Sequence, residues 1–304
     1  MRDTFVKTLT ALACQDSNIR LITGDLGFGV LKPYWEAVPD QFLNAGIAEQ
    51  AMTSLAAGMA RMGKTVVTYS IGNFPTLRCY EQIRNDCAYH DADVKIVCVG
   101  GGFTYGALGM SHHATEDLAV MRLLPNVVVL SPGDKWEAEA AVKAMMAHRG
   151  TCYLRLGRGG ERPIHAHLEH FEIGKAIPVW EGTEAAIFFT GGIYEEVALA
   201  LEILEKQGVY PAVYSFPTVS PLDEKTVKEC AASYRLILTC EEHSVRGGFG
   251  SAVAEVLAEH SGGASLMRIG IRGGYSSVAG DQKFLRRQYG LDGATIAETV
   301  LKNL

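Results

Sequence analysis

The stretch Asn44-Ala45-Gly46-Ile47-Ala48-Glu49-Gln50-Ala51-Met52 decides how this sequence is interpreted. It places a single acid, Glu49, in an otherwise apolar run, shortly after a glycine. The residues that follow have helical periodicity, so we predict a helix at Glu49–Met62. Glutamate in the first turn of a helix is favoured by the helix dipole, and by itself the pattern indicates only a helix N-terminus.

This stretch lies in a chain where short apolar runs, rich in Val and Ile, alternate with helical patterns. We predict strands at Arg20–Thr23, Thr65–Tyr69, Val94–Val99, Val127–Leu130, Cys152–Leu156, Ala185–Thr190, Pro211–Tyr214, Arg235–Thr239 and Leu266–Ile269. Further helices are predicted at Thr76–Tyr89, Lys135–His148, Glu195–Gln207, Glu224–Ser233 and Gly250–Glu259. Because strands alternate with helices, the sequence predicts parallel sheets that are covered by helices on both faces.

The alternation pauses over residues 157–182, which contain several glycines and charged side chains. We therefore predict an α/β protein of two consecutive domains with parallel or mixed sheets. The domains are predicted at residues 1–160 and 183–304, joined by a linker at 161–182. A chain of 304 residues is long enough for two compact domains.

The composition argues against several classes of protein. The formal net charge is -6 and no long run of Lys or Arg occurs, so we expect no nucleic-acid partner. The seven cysteines include no CxxC pair, which predicts reduced thiols rather than a disulfide framework. The start of the chain lacks the apolar core of a signal peptide, and no apolar run is of membrane-spanning length. We expect a cytoplasmic protein without membrane association.

Two further segments follow predicted strands, where open α/β sheets bind ligands. The first, Thr23-Gly24-Asp25-Leu26-Gly27-Phe28-Gly29, has neither a GxGxxG pattern nor a P-loop lysine, and alone it indicates only a glycine-rich turn. The second, Tyr69–Gln82, spaces Phe74, Leu77 and Tyr80 three residues apart. Such spacing is typical of the buried stripe of a helix, but the same side chains could instead pack against a flat ring.

A glycine-rich turn between Gly100 and Gly109 precedes two adjacent histidines, His112 and His113. Histidine can donate or accept a proton near neutral pH, so His112 is a candidate catalytic residue. A metal site that includes Glu116 is a second interpretation, although too few ligands are evident for it. A pair of ordinary loop histidines is the third.

In this order, the segments resemble the pyrimidine domain of the transketolase family, which includes transketolases, 1-deoxyxylulose-phosphate synthases and the beta subunits of 2-oxo-acid dehydrogenases. The matching residues are Gly46-Ile47-Ala48-Glu49-Gln50, the turn that leads to His112, and Ser131-Pro132-Gly133-Asp134. Residues 239–250, TCEEHSVRGGFG, resemble the family's C-terminal domain. The resemblance covers nearly the whole chain, and it implies a thiamine-diphosphate pyrimidine-binding domain followed by a transketolase C-terminal domain.

The resemblance also implies roles for single residues. Glu49 would hydrogen-bond a ring nitrogen of the aminopyrimidine of thiamine diphosphate, and so help the exocyclic amine to act as a base. His112 would contact the carbonyl and hydroxyl groups of the substrate. The positions that would contact the cofactor are Asp25, Ile47, Glu49, Phe74, Leu77 and Tyr80.

Two arginines match those with which transketolases bind a substrate phosphate: Arg158 and, near the start of the domain, Arg2. Guanidinium groups suit phosphate because they can donate two parallel hydrogen bonds. Apolar residues or glycine replace aromatic or polar side chains of the transketolases at Leu77, Leu108, Gly100 and Gly29. For Glu241, Glu242 and His243, which follow a predicted strand, a site and an interface turn are both open interpretations.

Whole transketolases are much longer, and their first half binds the cofactor's diphosphate through Mg2+ at a G-D-G motif that this sequence lacks. The resemblance therefore implies a split enzyme, an α2β2 heterotetramer in which an N-terminal transketolase subunit carries the metal ligands and this chain carries none. It would transfer a two-carbon ketol unit from a ketose, which Arg158 suggests is phosphorylated, to an aldose acceptor. The alternatives are a related subunit acting on a 2-oxo acid and a non-catalytic scaffold; Glu49 and His112 argue against the scaffold.

Overall fold

The computed structural model describes residues 1–260 and 263–304. In the first half the elements are α1 Arg2–Ala13, β1 Ile19–Thr23, α2 Lys32–Ala37, β2 Phe42–Asn44, α3 Glu49–Arg61, β3 Thr65–Ile71, α4 Tyr80–Gln82, β4 Val94–Val99, α5 Asp117–Arg122, β5 Val127–Leu130, α6 Lys135–Ala147 and β6 Thr151–Leu156. In the second half they are β7 Ile177–Trp180, β8 Ala185–Phe189, α7 Tyr194–Glu205, β9 Ala212–Ser215, β10 Thr218–Ser220, α8 Glu224–Ser233, β11 Leu236–Ser244, α9 Phe249–Ala258, β12 Ser265–Ile271, α10 Gln282–Gln288 and α11 Gly293–Asn303. Every helix among the described residues is too short or too polar to cross a bilayer.

The first sheet has seven strands in the order β10-β5-β6-β4-β3-β1-β2. All neighbours are parallel except β10, which runs antiparallel to β5. Thr23, at the end of β1, is paired with Asn44 on one side and with Tyr69 on the other. The loops that follow β1, β2 and β3 therefore leave the sheet at the same edge, which is where parallel sheets place their ligands.

The second sheet has five strands in the order β12-β11-β8-β9-β7, parallel except for β7. The first sheet takes β10 from the second half of the sequence, so the two units share backbone hydrogen bonds. They also share a core, because one hydrophobic cluster contains Leu118 and Met121 of the first unit together with Phe216 and Phe249 of the second. The two units therefore pack as one body.

The structure confirms the predicted fold class, two α/β units with mixed parallel sheets. The predicted domain boundaries differ from the structure in two details. The predicted linker at 161–182 contains β7, which is the edge strand of the second sheet. The predicted second domain contains β10, which completes the first sheet. β7 contains Pro178, and β10 has three residues flanked by Pro217 and Pro221, so neither segment shows the uninterrupted apolar run by which the other strands were predicted.

The prediction of one regular helix at Thr76–Tyr89 was wrong. The chain forms a 3₁₀ turn at Leu77–Cys79, the single α turn α4, and a π-helical turn at Ile83–Ala88. Cys79, Ile83 and Cys87 are all fully buried. They are spaced by four residues, a pattern that also fits one face of a regular α-helix, so the sequence does not mark the changes of helix type.

Candidate active site

Glu49 is the first residue of α3 and only 4% exposed. Gly46, with φ +73°, turns the chain from β2 into the helix, a conformation that side chains other than glycine rarely adopt. The loop after β1 packs closely against the acid, since a Cβ atom at Gly24 would lie 3.2 Å from Glu49 Cγ. The carboxylate is thus held at the sheet edge by the loop after β1, the turn at Gly46 and the first turn of α3, where the helix dipole stabilises a negative charge.

Two side chains connect Glu49 to the candidate catalytic histidine. Arg78 Nη1 donates to Glu49 Oε2 over 2.8 Å, and the guanidinium carbon lies 4.6 Å from the centre of the Phe74 ring. Phe74 in turn meets His112 edge to face, with 5.3 Å between ring centres. We call Glu49, Arg78, Phe74 and His112 the ring pocket. Sequence reasoning brought three of these residues forward and missed Arg78.

The other predicted cofactor positions fall into two groups. Ile47 and Leu77 are 79% and 41% exposed, and so available for contact. Asp25 is also exposed; its left-handed turn is held by Asn44, whose Oδ1 accepts from the Asp25 amide over 2.9 Å. Tyr80 points elsewhere, because its ring packs on the main core and its hydroxyl donates to the Val120 carbonyl over 2.8 Å. In this structure Tyr80 supports the pocket from behind rather than lining it.

His113 is buried and holds the loop that carries His112. Its Nε2 lies 3.1 Å from the carbonyl oxygen of Gly106, and its ring meets Phe103 edge to face. Asn73 Nδ2 donates to the His113 carbonyl over 2.8 Å, which ties the loop to the segment that carries Phe74. Among residues 1–260 and 263–304, no group of three or more His, Cys, Asp and Glu side chains is placed to hold a metal ion.

The glycine at position 100 has a steric explanation. A side chain there would run into the ring of Tyr105, which already occupies the space. A histidine at this position, as in the transketolases, is therefore incompatible with the present place of Tyr105. Leu108, at the position of the family's substrate-binding acid, is 59% exposed. Both departures lie in the loop between β4 and His112.

Arg158 and Arg2 lie on neighbouring parts of the surface. Arg158 is exposed and lines a cavity of about 240 Å³ between the two units. Met1 packs against Gly157, which places Arg2 close to the same loop. Arg2 Nε donates to Asp3 over 2.9 Å, and Arg2 lines a shallow groove together with Gly29. The two predicted phosphate arginines are thus brought to one end of the sheet.

A second charged cluster lies between the two units. Asp117 Oδ2 accepts from Arg155 Nε over 2.8 Å and from the Tyr153 hydroxyl over 2.6 Å. Arg155 Nη2 also donates to the Glu242 carbonyl, and Glu242 Oε2 accepts from Arg286 Nε over 2.5 Å. We call Asp117, Arg155, Glu242 and Arg286 the junction cluster, and each member is at most 5% exposed. Sequence reasoning missed this cluster, apart from Glu242.

Glu241, Glu242 and His243 lie within the last residues of β11 and contact the first unit or α9. Glu242 Oε1 accepts from the Phe103 amide over 2.5 Å, at the base of the loop that carries His112. His243 Nε2 accepts from the Ala119 amide over 3.3 Å. Glu241 accepts from the first two amides of α9, and burial raises its pKa above the ordinary value. Of the two interpretations left open by the sequence, the structure favours the interface, formed by the end of the strand rather than by a turn.

Comparison with known proteins places this geometry in a family. Residues 1–162 match the family model described as "Transketolase, pyrimidine binding domain", and residues 174–296 match "Transketolase, C-terminal domain". An apulose-4-phosphate transketolase subunit of Phocaeicola vulgatus is 33% identical, with 99% of this chain and 96% of that protein covered. A 6-deoxy-6-sulfo-D-fructose transketolase subunit of Clostridium sp. (strain MSTE9) is 35% identical, with 96% and 90% covered.

A solved structure supports the same assignment. The chain described as "Split gene transketolase, inactive beta4 tetramer" superposes with a TM-score of 0.92 at 32% identity, covering 100% of this chain and 97% of that chain. The ring pocket and both sheets lie in the two matched domains. The chain therefore belongs to the transketolase family of thiamine-diphosphate enzymes, as the subunit of a split enzyme that contains the pyrimidine-binding and C-terminal domains.

Proposed function

We propose that this chain is the pyrimidine-binding subunit of a two-chain transketolase, which moves a two-carbon ketol unit from a ketose phosphate to an aldose. The observation that carries the proposal is the Glu49 carboxylate. It is 4% exposed, yet its one ion-pair partner, Arg78, lies over the Phe74 ring, which in turn meets His112 edge to face at the carboxyl edge of the sheet. A buried acid without a structural task beyond one ion pair is typical of a functional site.

The residues of the ring pocket fit an aminopyrimidine. Glu49 would hold a ring nitrogen through its carboxyl group and exchange a proton with it, while the Phe74 ring packs against the flat heterocycle. Ile47 and Leu77, both exposed, would cover the other sides. Thiamine diphosphate, when bound, supplies the carbanion that attacks the ketose carbonyl. Glu49 prepares that chemistry, because proton exchange at the ring nitrogen makes the amine basic.

His112 would act on the substrate. Ser111 Oγ lies 3.0 Å from His112 Nδ1, so Nε2 is the nitrogen that can reach a substrate oxygen. An imidazole in that place can donate to a carbonyl oxygen or accept from a hydroxyl group as the bond between two carbons forms or breaks. Phe74 restrains the ring from one side through its edge-to-face contact.

The two arginines support a substrate class. Arg158 lines the cavity between the two units and Arg2 lines a separate groove at the same end of the sheet, and each guanidinium could bind a terminal phosphate or sulfonate through two hydrogen bonds. The named relatives act on a sugar phosphate and on a sulfo sugar. We therefore propose a phosphorylated ketose as the donor, with a sulfonated ketose as the nearest competitor.

The surface around the ring pocket supports the need for a partner. Large apolar side chains are exposed there, each at 41% or more: Phe28, Ile47, Leu77, Leu108 and Met110. Apolar groups clustered on a surface mark a binding interface. We propose that an N-terminal transketolase subunit covers them and supplies the Mg2+ and diphosphate site, in an α2β2 assembly. All seven cysteines are free thiols, and we place the complex in the reducing cytoplasm.

One reconstitution tests the proposal. The chain is purified alone and together with the N-terminal subunit from the same source, both are given thiamine diphosphate and Mg2+, and ketol transfer from xylulose 5-phosphate to an aldose is measured. We expect activity from the pair and none from the chain alone. Activity of the chain alone would contradict the two-chain site.

The same reconstitution separates the alternatives. If pyruvate is consumed and no ketose is, the chain belongs to an enzyme that acts on a 2-oxo acid. A sulfonated ketose used in preference to the phosphate would keep the reaction type and replace the substrate. A pair that contains Glu49→Ala should be inactive, and full activity in that variant would remove Glu49 from the mechanism.

A further inference from the structure

Arg78 makes the two contacts that the proposed cofactor ring would need. Its Nη1 donates to Glu49 Oε2 over 2.8 Å, where a ring nitrogen would be held. Its guanidinium carbon lies 4.6 Å from the centre of the Phe74 ring, where a flat heterocycle would pack. A guanidinium is planar, donates hydrogen bonds in its plane and stacks on aromatic faces, so it is chemically similar to a protonated nitrogen heterocycle.

We propose that Arg78 is a placeholder, which keeps the ring pocket formed in the cofactor-free subunit and leaves Glu49 when the aminopyrimidine binds. This inference rests on the proposed function of the ring pocket. It gives Arg78 a positioning role, because Arg78 acts through the place and pairing of Glu49. The sequence motif around Glu49 does not include it.

The two ends of the ion pair differ in their access to water. Glu49 is 4% exposed at its side chain, whereas Arg78 is 45% exposed. A buried carboxylate that loses its partner stays poorly solvated, so Glu49 needs a partner at all times. Arg78 can regain water by rotating outwards on a flexible stem. The arginine is therefore the half that moves, and the exchange of one planar donor for another leaves Glu49 continuously paired.

This exchange makes Arg78 a competitor of the cofactor. While Nη1 donates to Oε2 and the guanidinium covers Phe74, that oxygen and that ring face are both occupied. The apparent affinity for the cofactor is then lowered by the fraction of subunits in which the pocket is closed by Arg78. Removal of the guanidinium should tighten binding, which is the opposite of what loss of a cofactor contact would do.

The test is a binding titration of thiamine diphosphate with Mg2+ into the assembled two-chain complex, by calorimetry. For Arg78→Met, which retains the length of the side chain, we expect the dissociation constant to fall about three- to tenfold, the range set by a competent fraction of about a tenth to a third. Arg162→Met is the matched control, because Arg162 is also 45% exposed and paired with an acid, Glu202, at 3.3 Å. The control should bind like the wild type.

Two outcomes overturn the proposal. Binding by Arg78→Met that is weaker than the wild type would show that Arg78 holds the bound cofactor, and unchanged binding would show that it does not compete. A wild-type complex that binds no thiamine diphosphate contradicts the proposed function itself, which is a separate result.

A second measurement covers a variant that assembles poorly. The thermal midpoint of the chain without cofactor should fall for Arg78→Met and stay near the wild-type value for Arg162→Met. Arg78→Lys retains the positive charge but not the planar guanidinium group, and its thermal midpoint should lie close to that of the wild type. A midpoint for Arg78→Met equal to that of the wild type would contradict the placeholder role.

Discussion

The ring pocket and the junction cluster both pair buried acids with arginines, but they differ in how many partners each acid has and in how far the arginines are exposed to water. In the junction cluster every charge is nearly inaccessible to water, and Asp117, Arg155 and Glu242 each have at least two hydrogen-bonded partners. In the ring pocket the buried Glu49 has a single ion pair, to an arginine that is 45% exposed. One cluster is closed by the chain itself, and the other is the site that we propose the cofactor and a partner subunit complete.

This contrast separates two uses of buried charge. A buried cluster in which each acid is paired with an arginine stabilises the fold little more than a well-packed apolar core would, but removing one partner is costly. A buried carboxylate whose single ion-pair partner is partly exposed can exchange that partner for a ligand, and such carboxylates are typical of functional sites. Substitutions in the two clusters should therefore show in different measurements: catalysis for the ring pocket and unfolding for the junction.

The largest effect is expected at Glu49. In the reconstituted enzyme, Glu49→Gln should lower kcat about a thousandfold, because the amide cannot exchange a proton with a ring nitrogen. The free energy of unfolding of the chain should change little, since glutamine retains the shape of the side chain. Steady-state kinetics and urea unfolding measure the two. A large loss of stability with near-normal kcat would reverse the comparison between the clusters.

The reverse pattern is expected at Arg286. Arg286→Met removes the partner of the buried Glu242 and should lower the free energy of unfolding by about 3–5 kcal/mol, measured by urea denaturation. Lys283→Met is the control, because Lys283 pairs with Glu195 at the surface and should have no measurable effect. If both variants unfold like the wild type, the junction cluster does not hold the two units together.

A smaller effect is expected at Arg158, the arginine that we propose binds the substrate phosphate. Arg158→Met should raise KM for a ketose phosphate about ten- to a hundredfold, the range for a hydrogen bond to a charged group. The unphosphorylated ketose should be used as well by the variant as by the wild type, since it lacks the anion. An equal loss on both substrates would show that Arg158 does not bind the phosphate.

The smallest effect is expected at His165, in the segment that connects β6 to β7. Its Nε2 lies 3.1 Å from Glu137 Oε1. Burial alone would lower the pKa of His165, but the hydrogen bond to Glu137 and the charges of Glu137 and Asp134 outweigh it, so the pKa is raised above 6.5. The pair therefore stabilises the fold fully below about pH 6.5, and this contribution is lost as pH rises through the folded-state pKa.

The measurement is the free energy of unfolding of the wild type and of His165→Gln across that range. The difference between them should be less than about 1 kcal/mol in acid and should disappear in alkaline solution, because the side chain is partly exposed and screened. His167→Gln provides the comparison, since His167 pairs with Glu169 on the open surface. A difference that grows with pH would have the wrong sign for this pair.

Much of the fold could be predicted because its signals are local. The strands at Val94–Val99 and Val127–Leu130 and the helix at Glu224–Ser233 have the predicted bounds, since each is an uninterrupted run bounded by turn residues. The start of α3 at Glu49 was also predicted correctly, because a glycine and an acid mark it within a few residues. Both sheets follow from this alternation of strands and helices.

The missed features depend on contacts between distant segments. Arg78 was passed over because the spacing of Phe74, Leu77 and Tyr80 considers one helical face, whereas Arg78 meets an acid 29 residues earlier in the chain. The three helix types at 77–88 were missed because the spacing of the buried residues there also fits one regular α-helix. In the junction cluster, Arg155 and Asp117 are 38 residues apart and Glu242 and Arg286 are 44 apart, so only the docked fold brings them together.

The shared strand β10 restricts where the gene for such an enzyme can be divided. A break between residues 157 and 176 would remove β10 from its sheet and leave Arg155 and Glu242 on different polypeptides. Each of the two polypeptides would then expose a sheet edge and buried charges before it met the other. A division of the gene between the two domains is therefore expected to be harmful, whereas the proposed partner subunit would meet this chain at the exposed apolar surface around the ring pocket.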